Sequence, residues 1–267
     1  MTNLQTKKDL NDEYKNVKYI LTSGMRTRLL LSIYDSSKNL EELRISLEKP
    51  SATILHGLKE LENQNLIRKV QKYYELTSNG YLLTTNMVKL IENWYAINKN
   101  KKFWNNHDIS DIPEDILKNM YLLKDAEYET STTSNLSNAF NKYIKLISKS
   151  STLKIIMPIY SENHLKHMIR LLEEDKLKNL QLIIDNRILK SIQKNPQLNK
   201  GLLKNKKVKI KCISTNPKIF LTCADEFMSL TLFFKDGHYD DSQILIAKDK
   251  NALKWALGLH QHFDNYN

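Results

Sequence analysis

The stretch that most restricts what this chain can become is Pro50 to Leu66, PSATILHGLKELENQNL. Ile54, Leu58 and Leu61 recur at helical spacing, which makes one face of a helix apolar. Pro50 fits the start of a helix, and Ser51 is a suitable N-terminal cap. Ser51, Ala52, Thr53, His56 and Lys59 fall off the apolar stripe and are expected to face outward. A helix that opens with small, hydroxyl-bearing residues can approach another surface closely.

The flanking sequence narrows the choice. Ser23 can cap a helix over Met25–Tyr34 whose apolar face is Leu29, Leu30 and Ile33, with Arg26 and Arg28 outward. Asp35 to Asn39 reads as a turn, and Asn39 caps Leu40–Leu47, where Leu40, Leu43 and Leu47 repeat. After Leu66, the runs Leu66–Val70 and Tyr73–Leu76 alternate like two strands, with Gln71 and Lys72 at the tip. Three short helices followed by a hairpin are the sequence form of a winged helix-turn-helix. On that reading, Pro50–Leu66 enters the major groove of double-stranded DNA. Thr53 and His56 would lie near base edges and Lys59 near a phosphate, with Ser51 also among the DNA-binding residues. Arg68, Lys69 and Lys72 would place positive charge on the wing. The helix itself carries no Arg and its second half is acidic. Affinity is therefore expected from the wing and from dimerisation, and should fall steeply with salt.

Beyond the hairpin, Thr77 caps a long helix expected from about Asn79 to about Asn105, with Leu82, Leu83, Met87, Leu90, Ile91, Trp94 and Ile97 on its apolar face. Such a helix is available to pair with its copy in a homodimer, or to pack under the C-terminal half. Asp111-Ile112-Pro113 breaks the pattern, Glu114–Leu123 resumes it, and Ser137–Ser148 is a further helix. From Leu153 the period changes. Strands are predicted at Leu153–Ile159, Leu180–Ile184, Val208–Ile213, Phe220–Ala224, Met228–Phe234 and Gln243–Ala247. Helices are predicted at Glu162–Glu174, Arg187–Gln193 and Asn251–His262. This alternation indicates an α/β domain with a mixed sheet. The fold class is thus α+β / α/β: a winged helix over 1–83, a helical connector and dimerisation region over 84–150, and an α/β effector or interaction domain over 151–267. Ligands of such sheets sit beyond the carboxyl ends of the strands, which singles out Tyr160, Asp185 and Asn186 as ligand-binding residues.

Composition adds bounds. Forty-one Lys and Arg against thirty Asp and Glu leave a formal charge of +11, which favours anionic partners. Residues 1–100 hold 15 Lys and Arg against 11 Asp and Glu, so the excess is not concentrated in the first half. Cys212 and Cys223 are the only cysteines, a usage that fits a reducing cytoplasm; they are read as small core residues on neighbouring strands. Met1 to Tyr14 is polar, expected to be frayed, and lacks the apolar core of a secretory signal. No apolar run reaches the ~20 residues of a membrane span.

Several motifs carry a bland reading. His164-Leu165-Lys166 begins the phosphodiesterase H-x-K-x4-D signature, but Leu171 stands where the Asp is required and no second copy exists. His164 and His167 lack further metal ligands at a suitable spacing. Asp108 and Ser110 are read as capping residues and His107 as structural. Trp94 and Trp104 are read as packing groups, and the Lys200, Lys204, Lys206, Lys207, Lys209 and Lys211 cluster as a solvated face. No catalytic residue, metal or cofactor is expected.

Three stretches carry a family likeness: SATILHGLKELE at Ser51–Glu62, FWNNHDISDIPEDIL at Phe103–Leu117, and LKIIMPIY at Leu153–Tyr160. LTLFFKDGHYD from Leu230 and the later KWAL add to it. Over nearly its whole length the chain resembles archaeal winged-helix regulators with the methanogenesis-regulatory (Fil-type) domain. The C-terminal half is also similar in layout to the non-catalytic phospholipase-D-like domains of sugar-responsive archaeal regulators. The resemblance implies a cytoplasmic, dimeric transcription regulator with DNA as partner and a small-molecule effector or assembly role for its C-terminal domain. A phosphodiesterase and a protein-binding adaptor are the alternatives.

Overall fold

The structure is a computed structural model that describes residues 4–265. The chain divides into two compact units, the first ending at Ile91 and the second starting at Glu92.

In the first unit, α1 (Leu4–Leu21), α2 (Gly24–Tyr34), β1 (Lys38–Asn39), α3 (Leu40–Leu47), α4 (Ser51–Asn63), β2 (Ile67–Val70) and β3 (Tyr73–Leu76) precede α5 (Ser78–Lys99). Leu29, Leu30, Ile33, Leu43, Ile54, Leu58 and Leu61 form the core, as the helical spacing predicts. Caps set the helix starts. The Ser23 side chain accepts from the Arg26 amide, and Asn39 and Glu42 form a reciprocal capping box. The end of α4 is closed by Asn65 in a left-handed conformation (φ 54°), with the Leu66 amide donating to Leu61 O and the Asn65 amide to Glu62 O. The helix therefore stops at Asn63 rather than running to Leu66. The start also differs from expectation. Pro50, not Ser51, is the cap residue, and its carbonyl accepts from the amides of Thr53 and Ile54. A proline already extended at ψ 145° fixes the turn without a side-chain cap.

The first unit also holds a sheet that sequence did not resolve. β1, read as a turn, pairs antiparallel with β3, giving the order β1-β3-β2. Two residues are too few to show a period. At Gly80, in the first turn of α5, an added Cβ would lie 1.8 Å from Leu66 O, so only glycine lets the helix lie against that strand entrance. Two more expectations change. Arg26 is not outward: its side chain is 12% exposed and engaged with α4. Residues Leu4 to Tyr14, expected to be frayed, lie within α1, while residues 1–3 fall outside the described residues.

In the second unit, α6 (Lys101–Asn106), α7 (Glu114–Leu117) and a 3-10 turn at Met120–Leu123 lead into β4 (Glu127–Thr130) and α8 (Asn138–Ile147). Then follow β5 (Thr152–Ile156), α9 (Glu162–Glu173), β6 (Asn179–Asp185), α10 (Asn186–Lys194), α11 (Pro196–Leu198) with a π turn at Asn199–Leu203, and β7 (Val208–Ile213). β8 (Ile219–Ala224), β9 (Met228–Leu232), β10 (Gln243–Ala247) and α12 (Lys250–Asp264) complete it. The strands form a seven-stranded mixed sheet in the order β4-β10-β9-β8-β5-β6-β7. β5, β6 and β7 are parallel and the remaining neighbours antiparallel.

Strand alternation divides the core. Leu153, Ile155, Leu182, Phe220 and Ile244 join α8, α9 and α10 on one face. Ile156, Ile183, Leu221 and Leu245 join Phe103 and α12 on the other. A sheet covered on both faces explains the near-continuous apolar runs. β4 and α8, read from sequence as part of the connector, thus belong to the packing of this sheet. The long helix is also interrupted earlier than expected. Asn100 is buried at the junction of α5 and α6, and its Nδ2 donates to Ala126 O at 3.3 Å. The cysteines are not on neighbouring strands, since β5 and β6 lie between β8 and β7. Cys223 is buried, and burial pushes its thiol up to about 12; Cys212 is exposed on the edge strand.

Candidate nucleic-acid interface

The outward face of α4 is assembled as its spacing predicts. Ala52, Thr53, His56 and Lys59 are exposed and Ser51 is half-buried. Lys59 has no ion-pair partner among the described residues, so the pairing with Glu60 or Glu62 that a solvated helix would allow is absent. The acidic second half of the helix is partly turned inward. Glu60 accepts from Tyr19 Oη at 2.9 Å and pairs with Arg26 at 2.9 Å, and the Arg26 guanidinium stacks 3.7 Å above the Tyr19 ring. The hydrogen bond from Tyr19, with Arg26 beside it, holds the Glu60 carboxyl below its usual range. His56 Nε2 lies 3.7 Å from the same carboxylate and its side chain is 77% exposed.

The wing treats its three cations differently. Arg68 is tied across the hairpin to Glu75 at 2.6 Å. Lys69 and Lys72 have no acidic partner among the described residues; each lies over a tyrosine ring, Tyr74 at 5.5 Å and Tyr73 at 5.6 Å. Gln71 at the tip takes a left-handed conformation (φ 55°), which turns the chain in two residues. Tyr73 and Tyr74, which alternation marks only as strand residues, carry these lysines: Lys69 lies opposite Tyr74 in the hairpin register and Lys72 precedes Tyr73 in sequence.

In the second unit, the strand-end residues are largely occupied. Asp185 Oδ1 caps α10 by accepting from the Arg187 and Ile188 amides, and Oδ2 holds the Arg187 side chain at 2.6 Å. Asn186 Oδ1 accepts from Cys212 Sγ at 3.1 Å. Tyr160 is exposed. Around Asp185 the groups form a local network, with Arg187 also reaching the Asn216 side chain at 2.7 Å. Tyr160 has no part in that network.

The phosphodiesterase fragment is dismantled by packing. Leu171 is buried in the core, Lys166 pairs with Glu162 at 2.7 Å, and His164 sits among Phe140, Tyr143 and Phe220. Burial presses the His164 imidazole down to about 4. Among the described residues, no group of three His, Cys, Asp or Glu is placed to hold a metal, and no helix is long and apolar enough to cross a membrane.

His107 is structural, as its place in the sequence suggests. It is fully buried, and its Nε2 lies 2.9 Å from Asp240 Oδ2 while its Nδ1 lies 2.6 Å from Phe103 O. Both ring nitrogens thus lie within hydrogen-bond distance of an oxygen, one on a carboxylate and one on the backbone. The Phe234 ring stacks on it at 5.1 Å. Neighbouring Asp108 instead pairs with Lys218 at 2.7 Å, and its carboxyl is held well below the usual range by that bond and by Ser110. Two of the motifs that carried the family likeness, FWNNHDISDIP and FFKDGHYD, are therefore joined in space through His107 and Asp240. Their separation of 133 residues hid this.

The first unit is thus a winged helix with an exposed α4 face and a basic wing, and the second a mixed α/β sheet unit. Sequence comparison gives the family. Residues 14–94 match the family model of the methanogenesis regulatory protein FilR1 N-terminal domain, and residues 136–265 match its middle domain. The chain belongs to the Fil-type family of archaeal regulators. A curated relative, the methanogenesis regulatory protein FilR1 of Methanothrix harundinacea (strain 6Ac), is 23% identical over 96% of this chain. The chain spans 58% of the length of that relative. Among solved structures, the archaeal chromatin protein TrmBL2 aligns at 13% identity over 89% of each chain with a TM-score of 0.40. The methyltransferase RosA of Streptomyces davawensis aligns at 11% identity over 80% of this chain and 68% of its own, with a TM-score of 0.27. Likenesses this slight transfer neither detail nor activity.

Proposed function

We propose that this chain is a DNA-binding transcriptional regulator that acts as a homodimer. The observation that carries the reading is the pairing of an exposed α4 face with a wing whose Lys69 and Lys72 have no acidic partner among the described residues. Thr53 and His56 would face base edges, and Ser51 would sit where the helix meets the groove. Lys59, Lys69 and Lys72 would face phosphates, and Arg68 would join them by releasing Glu75. The start of α4 has no side-chain cap, and with the Thr53 and Ile54 amides held by Pro50 O, the Ser51 and Ala52 amides are the ones open to a phosphate. The inward turn of Glu60 removes part of the acidity that would favour a protein-binding role for this helix.

Dimerisation through α5 is part of the proposal. Leu83 and Met87 pack into the core of the first unit, whereas Leu90, Ile91 and Trp94, farther along α5, share an exposed side of the helix. Leu90 and Trp94 are 61% and 62% exposed, so a second copy of the chain would cover an apolar face. Two α4 helices could then address half-sites one helical turn apart. The sheet unit is the ligand-sensing or assembly domain, and a signal would pass along α5 to change the spacing of the two α4 helices. Membership in a family of methanogenesis regulatory proteins supports this direction. A salt-titrated selection of genomic fragments, with sequencing of what binds, tests the reading. Selective binding that weakens with salt is the expected result; absence of selective binding, with or without cell-extract metabolites, would count against it.

A further inference from the structure

Between α8, α9 and the β8–β9–β10 side of the sheet lies a cavity of about 60 Å³. That is room for about four or five water-sized groups. Its walls are aromatic. Phe140, Tyr143, His164, Phe220 and Tyr239 line it, with successive ring centroids 4.8 to 6.2 Å apart. It is distinct from the strand-end position of Tyr160, Asp185 and Asn186, none of which lines it.

Two carboxylates border the cavity and they are not equivalent. Asp240 is saturated: besides His107, it accepts from the Ser242 amide at 2.9 Å, Ser242 Oγ at 2.6 Å and Gln243 Nε2 at 3.0 Å. Asp241 is exposed and has no hydrogen-bond or ion-pair partner among the described residues. No Lys or Arg lines the cavity, in a chain whose net charge is +11. An anion would meet a free carboxylate and no cation. A neutral polyol would find Ser229, Thr231 and Gln243 among largely aromatic walls, but Gln243 is already engaged by Asp240 and Thr231 by Tyr239, which leaves few groups to replace the hydrogen bonds it loses to water. Ring faces carry negative potential and favour a cation, the more so when the cation is poorly hydrated. His164, pressed down to about 4 by burial, is neutral at pH 7 and adds no opposing charge.

We propose that this cavity is the effector site of the sheet unit and that it takes a small alkylammonium cation, held against the aromatic walls with Asp241 at its mouth. The proposal deepens the ligand-sensing reading above and rests on it. The site is also connected. Asp240, beside the free Asp241, grips His107 directly after α6, so a ligand that moves this loop acts on the segment that follows α5.

The test is calorimetric titration of the full chain with tetramethylammonium chloride, against tert-butanol as the neutral probe of similar size and sodium acetate as the anion. Saturable binding of tetramethylammonium alone is expected, weakened about tenfold by Asp241→Asn and by Tyr239→Leu. Asp241 is exposed, so Asp241→Asn should leave the unfolding midpoint unchanged and the loss readable as a site effect. No saturable heat with tetramethylammonium, equal binding of either control, or unchanged affinity in Asp241→Asn would overturn the assignment. DNA binding measured without ligand separates the two levels. If it persists while tetramethylammonium fails to bind, the cavity assignment alone falls. If tetramethylammonium binds and DNA affinity does not respond, the cavity stands and the sensing role falls.

Discussion

In the first unit three of the four cations proposed for function are loosely held: Lys69 and Lys72 rest on tyrosine rings and Lys59 has no ion-pair partner among the described residues, while Arg68 is tied to Glu75. In the second unit the charge that matters most is locked away, with His107 and Asp240 both fully buried and fully hydrogen-bonded. A solvated lysine costs little to keep and is free to find a phosphate. A buried pair is expensive to form and more expensive to break, so it fixes one arrangement of the elements it joins. One unit thus keeps charge available for an outside partner, and the other uses charge to hold two distant segments together beside a cavity.

That contrast can be broken in order of effect. His107→Ala, which removes the buried imidazole that ties Asp240 to the end of α6 and leaves Asp240 to Ser242 and Gln243 alone, is expected to cost about 3–5 kcal/mol in denaturant unfolding. Lys72→Ala should change stability by less than about 0.5 kcal/mol in the same assay. Equal costs would show that the two units do not differ in this way. Next, Gly80→Ala should destabilise the winged unit by about 1–3 kcal/mol, because the new Cβ meets the Leu66 carbonyl rather than a flexible side chain. Its signature is an earlier unfolding transition for the first unit with the second unchanged.

A smaller effect is expected from pH. Burial lowers His260 from 6.5 to about 4 in the folded chain. Between those values the unfolded chain binds more protons, so stability rises with pH across the window and is lost as pH falls through it. From pH 6.5 to 5 the loss attributable to this residue is about 1–2 kcal/mol. His260→Leu should flatten that slope in thermal unfolding followed at several pH values; an unchanged slope would assign the acid sensitivity to other groups.

How much of this was legible before the structure follows from the range of each signal. Caps and periodicities are local, so Asn39, Thr77 and the apolar faces of α2, α3 and α4 were read correctly, and β7 and β10 to the residue. The exposed residues of α4 and the wing were also foreseen. What stayed hidden is non-local or short. β1 is two residues long and exists through its pairing with β3. β4 has the polar sequence EYET and is a strand because β10 offers it an edge. Pro50 displaced Ser51 as the cap because backbone geometry replaced the side-chain bond. The His107–Asp240 pair and the aromatic cavity are made of residues from segments more than a hundred positions apart, which no window of sequence brings together. Asp185 was correctly placed at a strand end, and that same position made it a helix cap.

The central claim is that α4 reads sequence while the wing supplies unspecific affinity, and one measurement tests it most directly. Genomic fragments bound by the unaltered chain, by His56→Ala and by Lys72→Ala are selected and sequenced over a salt series. Lys72→Ala should weaken all bound sequences alike, by about three- to tenfold, and lower the salt slope by about one. His56→Ala should change which sequences are enriched. Indistinguishable profiles from the two variants, or no enrichment over bulk DNA by the unaltered chain, would contradict it.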